Sequence, residues 1–168
     1  GADPSPLMDP SLIDPLDRAR RCALELRDSV LPVQGPPGTG KTYSGARMIV
    51  ALLEAGVRVG VTAPSHKVVT NLLNDVCEAA GEAGFALRGL QAGTDSDGCP
   101  DARIEQVDKN AKAPPRLAAS DAPLLVAGTA WLWARDDMKG SVDVLFVDEA
   151  GQFSLANALA VSWAAGRM

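Results

Sequence analysis

Apolar positions along the chain change period repeatedly, and those changes predict its elements. Leu16, Ala19, Ala23, Leu24 and Leu26 fall on a rough helical period and predict a helix over 16–28. The run at 30–34 reads as a short strand, and a glycine- and proline-rich turn follows at 35–40. Residues 41–55 form an apolar helical stretch closed by Gly56. Residues 57–63 (VRVGVTA) read as a second strand, broken by Pro64 and Ser65. Ser65 is a natural N-cap for a helix running to about residue 80.

Residues 81–122 lose this regularity. AGTDSDGCPD and KAPPRLAASDAP are rich in turn formers, with a charged segment between them. The expectation is an insertion or mobile region at about 81–122, with one short helix near 102–109. Strands are predicted at 124–128 and 142–147, and an alanine-rich helix at 154–165. Residues 1–15 carry four prolines and little periodicity, and read as a linker or tail. Strands alternating with helices at these lengths predict an α/β fold with an open parallel sheet.

Composition narrows the class. The 168 residues suffice for one domain with a sizeable core. The net charge of -5 argues against a strongly basic nucleic-acid footprint, although an acidic body can still present a local basic groove. Cys22, Cys77 and Cys99 are scattered and lack CxxC spacing, and His66 is the lone histidine, so no Cys/His metal site or disulfide framework is expected. The start lacks the basic and apolar regions of a signal peptide, and no apolar run approaches a membrane span. The default reading is cytoplasmic, with no membrane partner.

Two motifs carry chemistry. Gly35-Pro36-Pro37-Gly38-Thr39-Gly40-Lys41-Thr42 matches GxxxxGK[ST] between a predicted strand and a predicted helix. Glycines let successive N–H groups turn inward on an anion, and the positive end of the following helix faces the same point. Lys41 would reach the β- and γ-phosphates of ATP, and Thr42 would offer its hydroxyl to Mg²⁺. The second motif, Asp148-Glu149, ends the apolar run Val144-Leu145-Phe146-Val147, at the strand edge where open α/β sheets bind ligands. Asp148 would hold Mg²⁺, and Glu149 would orient and deprotonate the attacking water.

With Val33 and Gln34 ahead of it, the phosphate loop resembles motif I of superfamily-1 helicases, in the branch of the nonsense-mediated-decay helicase. Thr62 to Leu73 (TAPSHKVVTNLL) resembles motif Ia, Val126-Ala127-Gly128-Thr129 resembles motif Ic, and Asp148-Glu149-Ala150-Gly151-Gln152 resembles motif II in its DEAxQ form. The four stand in the family's order over residues 30–160. Gln34–Arg47 with Val61–Leu73 is also similar to bacterial proteins in which a RecB-like nuclease domain precedes such a helicase. The resemblance implies a RecA-like P-loop NTPase fold, the first of two motor domains over 16–168, and ATP-driven movement along single-stranded DNA or RNA. It implies a second RecA-like domain in cis and, in the narrower reading, an upstream nuclease. Gln34 would belong to the nucleotide site, and Gln152 would sense the γ-phosphate. Ser65, His66, Lys67 and Thr129 would contact the nucleic-acid backbone. Ser65 reads equally as an N-cap, and His66 as an ordinary exposed helix residue. Trp131 and Trp133 either stack on bases or pack in the core.

Two departures from the family stand out. A glutamine usually precedes motif I to read the adenine edge; Arg18 stands at that spacing, and residues 1–33 contain no Gln. No GD-x-x-Q strand follows motif II, so the RecA-like sheet is expected to be incomplete at the C-terminus, with two central strands left unpaired. That predicts a fragment of a longer helicase, with at most weak binding and negligible turnover alone. The alternatives are an AAA+-type ATPase, or a nucleotide-binding module without turnover of its own.

Overall fold

The computed structural model describes residues 14–36, 38–94 and 97–168. Pro37 and most of the expected linker lie outside them. Asp14 caps helix α1 (Pro15–Glu25), its carboxylate accepting the Leu16 N–H at 2.9 Å. Pro15 at the first helical position forfeits only an N–H without an intrahelical partner. The helix therefore starts inside the expected tail and ends before residue 28. Helix α2 (Lys41–Glu54), strand β1 (Val59–Thr62) and helix α3 (His66–Ala83) follow where the apolar pattern puts them. Ser65 caps α3, and Gly84 closes it in the left-handed conformation.

The 81–122 region differs from expectation. It supplies strands β2 (Gly89–Ala92) and β3 (Ile104–Val107) and the short helix α4 (Ala113–Ala118). The short helix expected near 102–109 is strand β3 instead. Polar residues disguise this segment. Gln91 lies buried in β2, donating from Nε2 to Thr70 Oγ1 at 2.9 Å and accepting the Cys99 N–H at 2.7 Å. Gln106 of β3 donates to Cys99 O at 2.7 Å. These two glutamines hold the intervening loop, so their polarity is satisfied internally.

Strands β4 (Leu125–Ala127) and β5 (Val144–Val147), with helices α5 (Ala130–Trp133) and α6 (Leu155–Ser162), complete the fold. All five strands are parallel, in the order β3-β2-β4-β1-β5. Strand alternation divides the core. Val59, Val61, Leu125, Ala127 and Val144 pack with α2 and α3 on one face. Val126 and Leu145 pack with Leu132, Trp133 and Val161 on the other.

The predicted strand at 30–34 forms no regular ladder. Its backbone pairs instead with residues far along the chain: Leu31 donates to Met168 O at 2.9 Å, and Met168 donates to Ser29 O at 3.2 Å. Arg167 forms a parallel bridge with Val144, and its carbonyl accepts the Leu145 N–H at 2.9 Å. Arg167 and Met168 thus make a two-residue link between the start of β5 and residues 29–31, where the sequence predicts bare edges.

Trp133 is 1% exposed and lies across the middle of β1. Its indole N–H donates to Val61 O at 3.0 Å and Gly128 O at 3.2 Å. A Cβ on Gly60 would sit 2.5 Å from the ring, so only glycine fits there. Gly81, on the surface of α3, has nothing within 4 Å of its missing Cβ. In urea titrations, Gly60→Ala should lose about 1–3 kcal/mol through overpacking. Gly81→Ala should gain about 0.5–1 kcal/mol from helix propensity. Equal effects from the two changes would mean Trp133 is not seated against β1.

Candidate nucleotide site

The phosphate loop joins the 30–34 segment to α2. Gly38 and Gly40 have φ of +77° and +79°, a conformation that side chains resist, and this turns the chain tightly into the helix. Gly40 is the N-cap and contributes no side-chain hydrogen bond, so the first N–H groups of α2 have neither a helical nor a side-chain acceptor. An uncapped 14-residue helix behind a left-handed turn forms a cradle for an anion. Lys41 Nζ donates to Gly35 O at 2.7 Å and Pro36 O at 3.0 Å, which holds the ammonium over the loop. The Thr39 hydroxyl donates to Pro36 O at 2.7 Å. Gln34, Pro36, Gly38 and Thr39 are exposed, while Gly35, Lys41 and Thr42 are half-buried.

The acidic pair emerges at the carboxyl end of β5, next to β1. The Asp148 N–H donates to Thr62 O at 2.9 Å, continuing the ladder one step past Val147. The Asp148 carboxylate accepts the Glu149 N–H at 2.9 Å. Burial raises the Asp148 pKa, and the Glu149 and Asp75 charges add to the rise, while the Glu149 N–H and the Lys41 charge oppose it. The Lys41 charge thus acts on Asp148 although the two residues come from elements far apart in sequence.

Glu149 adopts φ +51°, ψ +40°, a left-handed conformation that costs a non-glycine residue about 1 kcal/mol. The short 3₁₀ turn Ala150–Gln152 follows, with Gln152 N–H donating to Glu149 O at 2.8 Å. Gln152 Nε2 also donates to Glu149 Oε2 at 3.3 Å, so Gln152 orients the exposed carboxylate. Thr62, the first residue of the motif Ia-like stretch, adjoins the acidic pair. It is fully buried beside Asp148, and its Oγ1 has no hydrogen-bond partner.

The residues suit a metal–nucleotide complex. Among the described residues, no group of three or more His, Cys, Asp or Glu side chains could hold a metal ion. A Mg²⁺ ion would draw on the Thr42 hydroxyl, the Asp148 carboxylate and the phosphates of its nucleotide, the pattern this hard cation favours.

The resemblance-based nucleic-acid residues separate. Ser65 is exposed, and its hydroxyl accepts the Val68 N–H at 3.4 Å, so it does serve as an N-cap. Lys67 is exposed. His66 is half-buried rather than an open surface residue, and its Nδ1 is buried without a partner. Thr129 is buried at 8% exposure. Trp133 belongs to the core, whereas Trp131, on the opposite side of the one-turn helix α5, is 82% exposed.

A parallel sheet with helices on both faces and a glycine-rich loop capping a helix define a P-loop NTPase. A family model described as "AAA domain" matches residues 17–167, and the chain belongs to that family. No curated protein matches it. Among solved structures, it is similar to a nuclease-deletion mutant of the Type ISP restriction-modification enzyme LlaGI in complex with a DNA substrate mimic. The TM-score is 0.54 and the identity 18%. The match covers 82% of this chain but 15% of that one, so this chain spans a small part of that protein. No helix among the described residues is long and apolar enough to cross a membrane.

The raised pKa of Asp148 has a stability consequence. A carboxyl whose folded pKa lies above its unfolded value favours the fold while protonated, and that contribution is lost as pH rises through the folded pKa. At neutral pH the ionised carboxylate therefore costs stability. Without nucleotide or divalent cation, Asp148→Asn should melt higher than wild type at pH 7. The gain should shrink as pH falls through the carboxylate range. A variant that is less stable at pH 7 would contradict the assigned burial cost.

Proposed function

We propose that this chain is the ATP-binding and ATP-hydrolysing motor domain of a superfamily-1 helicase, acting on single-stranded DNA or RNA. The observation that carries the proposal is the left-handed glycine turn that leads into the uncapped start of α2 at Lys41 and Thr42, with Asp148 and Glu149 following the carboxyl end of β5; the Lys41 charge acting on Asp148 supports it. In this reading Gln34 and Gly35 to Thr42, including Pro37, enclose the phosphates. Lys41 neutralises the β- and γ-oxygens, and Thr42 and Asp148 hold Mg²⁺. Glu149 is the base, held by Gln152, which senses the γ-phosphate. A second RecA-like domain would complete the site in cis by supplying transition-state arginines. An upstream nuclease domain fits the narrower resemblance.

The nucleic-acid surface would lie along the same sheet edge. The chain leaving β1 delivers Ser65, His66 and Lys67, and the adjacent strand β4 delivers Thr129 and the exposed Trp131. Lys67 supports a backbone contact, and Trp131 supports stacking on a base. The LlaGI structure, with its DNA substrate mimic, is consistent with this reading.

The test is ATP turnover with and without single-stranded DNA or RNA, in the protein joined to its partner domain. Nucleic acid should raise turnover. Glu149→Gln should keep ATP affinity and lower turnover about 10²–10⁴-fold. Normal hydrolysis by Glu149→Gln would remove the base assignment. Turnover indifferent to both nucleic acids would favour an AAA+-type remodelling ATPase.

A further inference from the structure

A cleft of about 420 Å³ is lined by Leu24, Arg27, Asp28, Ala55, Val57 and Arg167. Ala55 and Val57 precede β1, and Arg167 bridges the first residue of β5, so the cleft lies at the amino edge of the sheet, opposite the nucleotide site. Its two arginines meet on one atom. Arg27 Nη1 donates to Leu26 O at 2.9 Å, and Arg167 Nη1 donates to the same oxygen at 3.1 Å. The two nitrogens therefore stand no farther apart than the sum of those lengths. Their remaining bonds also end on backbone: Arg27 Nη1 on Leu24 O at 3.0 Å, and Arg167 Nε on Asp143 O at 3.3 Å. Among the described residues neither guanidinium has an ion-pair partner. The Asp143 carboxylate feels the Arg167 charge, but Arg58 occupies both its oxygens. Asp28, the one carboxylate of the lining, pairs with neither arginine.

We propose that this cleft is a binding site for a phosphate dianion, free or carried on a small phosphomonoester, held between Arg27 and Arg167. Two guanidiniums this close repel each other, and a dianion between them turns that repulsion into attraction. Each keeps N–H groups, Nη2 among them, beyond those bonded to carbonyls, and the guanidinium fork matches phosphate oxygens. Arg27 is exposed, which gives a ligand access. Leu24, Ala55 and Val57 add an apolar wall against which the body of a phosphomonoester can pack. The plainer alternative is that both arginines only cap α1, whose last carbonyls carry partial negative charge. Arg27 alone already bonds Leu24 O and Leu26 O, so Arg167 adds a like charge to a capped helix end. A purely capping pair would affect stability and have no preference for phosphate.

Calorimetric titration with inorganic phosphate and with ribose 5-phosphate separates the two, at constant ionic strength and at pH 8, where phosphomonoesters are dianions. The titrations use the chain carrying Lys41→Ala, which weakens the phosphate loop as a competing site. At least one of the two ligands should bind, one per chain. Arg27→Gln, which keeps a donor for the carbonyls and removes the charge, should weaken that binding about ten-fold to about a hundred-fold, the range of a hydrogen bond to a charged group. Arg88→Gln removes an exposed charge just before β2, three strands from β5, and should leave it unchanged. Tighter binding of ribose 5-phosphate would identify a phosphomonoester as the ligand, and tighter binding of inorganic phosphate would identify the free ion. Binding of neither would overturn the inference, as would equal weakening by Arg27→Gln and Arg88→Gln. A lower melting temperature in Arg27→Gln with unchanged phosphate affinity would leave the arginines as caps of α1 and overturn it too.

Discussion

Strand β5 lies parallel to β1 from the Val59–Val144 pair to the Thr62–Val147 pair. At the amino end, Asp143 accepts from the Arg58 backbone N–H at 2.9 Å and from two guanidinium nitrogens at 3.2 and 2.8 Å. The pair is partly exposed, so its value lies in fixing geometry more than in adding stability. At the carboxyl end, the Asp148 N–H bonds to Thr62 O. A slip of one residue would turn Asp148 to the other face of the sheet and separate it from Lys41. Arg167 and Met168 extend the constraint by linking β5 to the segment that enters the phosphate loop. The relative position of loop and carboxylate thus depends on backbone pairing between segments distant in sequence.

The site itself opposes stability. Asp148 is charged where burial disfavours charge, Glu149 occupies a left-handed backbone conformation, and Thr62 Oγ1 is buried without a partner. Each costs free energy, and all three lie where β1 and β5 end. Such costs persist where function uses them. A divalent cation beside Asp148 would turn its desolvated charge into an advantage, and in its proposed role as base Glu149, fixed by Gln152, would need little reorganisation to act on water.

The local motifs were more legible in the sequence than the sheet. Gly35 to Thr42 and Asp148-Glu149 are contiguous patterns, so the glycine turn into α2 and the acidic end after β5 can be located without knowing the fold. Helices α2 and α3 were equally plain because their apolar faces repeat over several turns. Strands β2 and β3 were missed because Gln91, Glu105 and Gln106 break the apolar alternation, and the two glutamines are satisfied only by Thr70 and Cys99. The irregular backbone at 30–34 was misjudged because Pro32 lacks an N–H and the pairing partner is Met168. The meeting of Arg27 and Arg167 on Leu26 O joins the end of α1 to a residue far along the chain, which no local pattern reveals.

In the proposed function, the phosphate loop and the acidic residues after β5 form one site in which metal and nucleotide bind together. The direct measurement is ATP affinity with Mg²⁺ and with a chelator, in wild type and in Asp148→Ala. In wild type, Mg²⁺ should tighten ATP strongly, because it screens the Asp148 carboxylate from the phosphates. In Asp148→Ala that metal dependence should largely disappear, with chelated ATP binding at least as tightly as it does to wild type. An undiminished Mg²⁺ effect in the variant would contradict a shared site and place the metal away from β5.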